Sequence, residues 1–155
     1  MCLTYLALLV LAFLGVFIGL LIGCLAKEEL KPGLQYLDIL RHAVFIAVLL
    51  IFFAKNWSIL FVLLIAFILI LFSLTKHRET LYYYALALIF FLSWRYNGFT
   101  MIAPLVFLYG LPLGSIYLYK HIKEKKTKVV LGALYTYAGF IINGVVLGLL
   151  GLFLA

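Results

Sequence analysis

With 155 residues, 68% of them hydrophobic, and a mean hydropathy of +1.28, the chain is too apolar for an aqueous globule, in which roughly half the residues are apolar. Its formal net charge of +7 would suit nucleic acid, but the cations sit in short links between apolar runs and leave no solvated basic surface to build such a site. Cys2 and Cys24 are the only cysteines. About 33 Å apart along one helix, they exclude a disulfide framework.

Residues 3–26 form the first expected span. They carry no charge, and as a helix they reach about 36 Å, enough to cross a hydrocarbon core of about 30 Å. Ala12, Gly15, Gly19, Gly23 and Ala26 recur at spacings of three and four and share one face. Small residues let two helix backbones approach closely, and in lipid that packing takes over from the absent hydrophobic drive. Leu21-Ile22-Gly23-Cys24 is similar to a lipoprotein cleavage box. No basic residue precedes the apolar run, so the segment reads as a retained span and not as a removable signal.

The stretch 27–33 contains Pro32-Gly33, a turn signal, and should end the first span. A second span is expected over 36–54, with Asp38, Arg41 and His42 at its interfacial start. A third follows over 57–75, a fourth over 80–96 and a fifth over 99–119. The fifth is interrupted by Pro104, Gly110, Pro112 and Gly114. Pro112 lacks a backbone donor and clashes with the carbonyl of Leu108, so a simple proline kink is expected, with a functional break near the midplane as the alternative. The basic stretch 120–128 leads to a sixth span over 129–154. There Gly132, Thr136, Gly139 and Asn143 mark one small face, and Gly144, Gly148 and Gly151 mark its neighbour. The expected fold is all-α: a polytopic integral membrane protein, a six-transmembrane-helix bundle in a single domain. A transmembrane β-barrel would alternate apolar and polar residues over about ten positions, whereas these runs are continuously apolar.

Ten of the twelve Lys and Arg residues fall in or beside the first, third and fifth links: Lys27, Lys31, Arg41, Lys76, Arg78, Lys120, Lys123, Lys125, Lys126 and Lys128. Only Lys55 and Arg95 fall in the second and fourth. By the positive-inside rule the odd-numbered links are cytoplasmic, both termini are extracytoplasmic, and the location is the cell membrane.

The residues with chemistry to offer are few. Asn143 near the middle of the sixth span carries an amide that lipid cannot satisfy. With Tyr109, Pro112 and Ser115 it is the expected substrate-binding set, gathered in one midplane cavity. Gly15, Gly19, Gly23, Gly144 and Gly148 are the expected helix-packing residues. His42, His77 and His121, with Glu28 and Glu29, lie on the expected cytoplasmic side. Such groups could hold zinc or activate water, but neither H-x-x-x-H nor H-E-x-x-H occurs. Glu28-Glu29 resembles the start of the Glu-Glu-x-x-x-Arg motif of membrane-embedded CAAX-type proteases, yet Gly33 stands at the arginine position. No charged residue is expected deep within a span. No Walker loop, dinucleotide fingerprint or nucleophile elbow is present, and no cofactor is expected.

The reading is therefore a protein without a catalytic centre. It is either a small carrier for a neutral or weakly polar solute or an integral subunit of a larger membrane assembly. Its expected partners are membrane lipid and either copies of itself or another membrane subunit. The alternative is a membrane-embedded hydrolase or lipid-modifying enzyme acting through Glu28, Glu29, His42, His77 and His121.

Overall fold

The computed structural model describes residues 2–55, 78–96 and 99–153. They form five helices: α1 (Cys2–Leu25), α2 (Lys27–Lys55), α3 (Arg78–Tyr96), α4 (Phe99–Lys120) and α5 (Lys126–Phe153). No strand occurs among the described residues. Four helices, α1, α2, α4 and α5, are long and apolar enough to cross a membrane. The fifth, α3, is 19 residues long, and Tyr82, Tyr83, Tyr84, Trp94 and Arg95 dilute its apolar content. Of the six expected spans, the segment 57–75 lies outside the described residues, as does His77.

One local expectation is corrected. The chain turns at Ala26 alone, and Pro32-Gly33 lies inside α2. Pro32 sits near the start of the helix, where both it and Glu28 are exposed, so the one lost bond leaves a carbonyl that water can reach. Glu28 and Glu29 occupy the first turn, where the helix dipole favours anions. α4 stays helical through both Pro104 and Pro112, so the alternative of a broken helix is not realised. A proline removes one intrahelical bond, and α4 packs on α1 on both sides of Pro112, through Gly110 and Gly114.

That packing also fixes the helix directions. Gly15 of α1 lies against Phe107 and Gly110 of α4, Gly19 against Leu111, and Gly23 against Ser115 and Leu118, so α1 and α4 are parallel. Tyr5 meets Gly148 and Leu9 meets Gly144, and Phe13 stacks at 6.5 Å on Phe140, so α5 runs the opposite way. α3 follows α5, since Tyr84 meets Gly139 and Phe91 meets Gly151. α2 runs against α4, with Leu30 near Gly23 and Ser115 and Phe45 beside Tyr109. One end of the bundle therefore collects Lys27, Lys31, Lys120, Lys123, Lys125, Lys126 and Lys128, and the opposite end collects Lys55 and Arg95.

The core is aromatic. Tyr83 is fully buried, stacks on Phe140 at 4.5 Å and on Tyr109 at 6.1 Å, and takes the edge of Tyr137 at 5.7 Å. A second cluster closes the end with few cations, where Tyr5 packs on Phe90 and Trp94, and Phe99 packs edge-on against both of those rings. Offset and edge-on pairs of this kind are worth about 0.5–1.5 kcal/mol each beyond area burial.

Candidate functional site

The closest contact in the fold is the seam between α1 and α4. A side chain on Gly19 would run into the Leu111 backbone, and one on Gly114 into the backbone of Val16 and Leu20. The glycine run of α1 thus finds its match in Gly110-x-x-x-Gly114, the same four-residue spacing on α4. Gly110 and Gly114 are expected from the sequence as helix interruptions, and their matching period is the signal that they form a packing face. Ser115 Oγ donates to the Gly19 carbonyl oxygen at 2.8 Å across this seam. The seam lies within one chain.

Both small faces of α5 are also occupied. Gly144 and Gly148 receive Leu9 and Tyr5 of α1, and the Tyr5 hydroxyl donates to the Gly144 carbonyl at 2.9 Å. On the neighbouring face, Gly139 receives the Tyr84 ring, whose hydroxyl donates to the Thr136 carbonyl at 2.7 Å.

The expected substrate-binding set does not come together. Tyr109, Pro112 and Ser115 are buried on α4, with Ser115 committed to Gly19. Asn143 is exposed on α5, a helix that barely touches α4. α4 stays helical through Pro112, so no broken segment opens a cavity for the amide to share.

A polar cluster that the sequence placed at an interface sits further inside. Asp38, Arg41 and His42 lie near the middle of α2. Arg41 is only 7% exposed and forms an ion pair with Asp38 one turn away. His42 Nδ1 donates to the Asp38 carbonyl at 2.7 Å. Arg41 and His42 line a recess of about 100 Å³ with Phe45, Tyr82 and Tyr109, and Tyr109 is at the middle of α4. Arg41 is thus buried against protein, where the sequence placed it only at the interfacial start of a span. Because the helix starts at Lys27, the triplet falls within it and not in its first turns. Beside it, the buried Tyr83 hydroxyl has no hydrogen-bond partner among the described residues.

The cluster is half open to the outside. The Asp38 and His42 side chains are 53% and 57% exposed, and the exposed residues Asp38, His42, Ile46 and Leu50 follow one another at four-residue steps along α2. Where such a stripe meets hydrocarbon, an ionisable group is costly unless another polar group or helix covers it.

The described groups of the enzyme alternative, Glu28, Glu29, His42 and His121, do not converge. Glu28 and His42 are fourteen residues apart on α2, about 21 Å along its axis. His121 lies beyond the end of α4, stacked on Tyr117 at 4.3 Å with Nδ1 donating to the Tyr117 carbonyl at 3.0 Å. Among the described residues no group of three His, Cys, Asp or Glu side chains is placed to hold a metal ion. None of the known protein-family models, characterised proteins or solved structures matches this chain.

Proposed function

We propose that this protein is an integral subunit of a larger membrane assembly and that the next member packs on α2 over Asp38 and His42. The observation that carries the reading is the exposure of both side chains about 16 Å or more from either end of a span-length helix. Intramembrane ionisable groups face a bundle interior, a watery cavity or a partner. Exposed Asn143, about 15 Å from the nearer end of α5, adds a second polar group with the same requirement. The basic end faces the cytoplasm in this reading, because cations are retained on that side.

The test is the mass of the protein solubilised gently from the membrane in which it is made, together with thiol labelling of His42→Cys in an otherwise cysteine-free chain. That position is exposed, and the change leaves the Asp38–Arg41 pair in place. An assembly heavier than the 17.6 kDa chain is expected, with the introduced thiol protected inside it and reactive once it is dissociated. A stable monomer overturns the proposal whether the thiol is reactive or protected, since protection in a monomer means that the chain covers its own stripe.

A carrier for a small neutral solute is the second reading, favoured by the recess beside Arg41 and Tyr109 and by the buried Tyr83 hydroxyl. Reconstituted vesicles that swell with glycerol, and lose this with Tyr109→Leu, would support it. Unchanged swelling would remove it.

A further inference from the structure

Near the basic end, a groove of about 350 Å³ opens between α1, α4 and α5. Its walls are Phe17, Leu20 and Cys24 of α1, Leu118 of α4 and Val129 of α5, and Lys126 stands at its margin. The volume falls in the roughly 300–1,000 Å³ range of ligand pockets. The walls are almost wholly apolar, and the charge is confined to one end. A linear apolar molecule with an anionic head matches that layout.

The basic margin is more than one side chain. Lys123, Lys125, Lys126 and Lys128 are all exposed around the link and the first turn of α5, against the single acid Glu124. Lys126 is also the first residue of a 28-residue helix, whose positive dipole end adds to the attraction. Basic pockets between membrane helices select anionic lipid head groups. We infer that this groove is a binding site for an anionic phospholipid, with an acyl chain along Phe17, Leu20 and Val129 and its phosphate at Lys126. A second groove at the same end provides an internal contrast. It measures about 280 Å³ and is lined by Gly23, Leu30 and Leu37, but Glu29 is in its wall. A carboxylate there repels phosphate, so of these two grooves the one at Lys126 favours an anion.

Cys24 lies in the wall as a free thiol and reports occupancy directly. The experiment uses the full chain with Cys2→Ser, purified in detergent, and measures the rate of Cys24 alkylation by N-ethylmaleimide. Phosphatidylglycerol should protect Cys24 at lower concentration than phosphatidylcholine, and inorganic phosphate should not protect it. Lys126→Ala should reduce the phosphatidylglycerol preference about fivefold, the share of one surface cation, with the thermal midpoint unchanged. Equal protection by the two lipids, no protection by either, or a preference that survives Lys126→Ala overturns the assignment. Val130→Trp, placed in the groove wall, should block protection by both lipids. If that variant fails to fold, the Lys126→Ala comparison decides the outcome by itself.

Discussion

Ser115 Oγ donates to the carbonyl oxygen of Gly19 at 2.8 Å, joining two parallel helices that are 96 residues apart in the chain. Such a bond forms only where two backbones nearly touch, and Gly15, Gly19, Gly110 and Gly114 provide that approach. Polar bonds between membrane helices are worth about 0.6–2 kcal/mol. Here the bond also fixes the register of α1 on α4, because a shift of one residue would bring side chains into the glycine contacts.

Replacing Gly19 or Gly114 with Leu should therefore lower the thermal midpoint in detergent. In each case the added carbon meets backbone, which cannot swing aside, and overpacking of this kind costs about 1–3 kcal/mol. Gly33→Leu is the control, since nothing lies within 4 Å of the position its side chain would take. Equal midpoints for all three variants would refute the packing argument.

The Asp38–Arg41 pair should behave as a coupled unit. Asp38→Ala alone leaves the buried guanidinium without its carboxylate and should destabilise by about 2 kcal/mol. Asp38→Ala with Arg41→Met should recover part of that loss, because both charges have then left the bundle. A double-mutant cycle with no coupling would show that the pair is incidental to stability.

Asn143→Leu should leave the midpoint of the isolated chain unchanged within about 0.5 kcal/mol, as expected for an exposed position. In the membrane of origin the same change should reduce the assembled fraction. A large loss of stability in the isolated chain would mean that the amide is bonded inside the bundle.

A reporter inserted near Lys125 should read as cytoplasmic and one fused after Ala155 as extracytoplasmic. The basis is the gathering of Lys27, Lys31, Lys120, Lys123, Lys125, Lys126 and Lys128 at one end of the bundle. Exchanged readings would reverse the orientation, and reporters on the same side would change the number of crossings.

The helical, membrane-compatible character of the chain was legible in the sequence, because continuous apolar runs reflect a requirement local to each segment. Backbone groups in hydrocarbon must be satisfied within the segment itself, and a helix does this for any partner arrangement. The glycine faces were legible for a related reason: four-residue spacing aligns small residues on one side of a helix whatever lies opposite. Which helix lies opposite is a property of tertiary structure. Only the fold paired Gly19 with Leu111, turned Gly110 and Gly114 from interruptions into a packing face, and carried α4 straight through Pro112. It also set where the links fall. Packing of α2 buried Arg41 beside Tyr109 while leaving its partner Asp38 exposed, and Asn143 was turned outward, away from Ser115. Depth and facing depend on how whole helices dock, and that docking energy is shared among residues far apart in the chain.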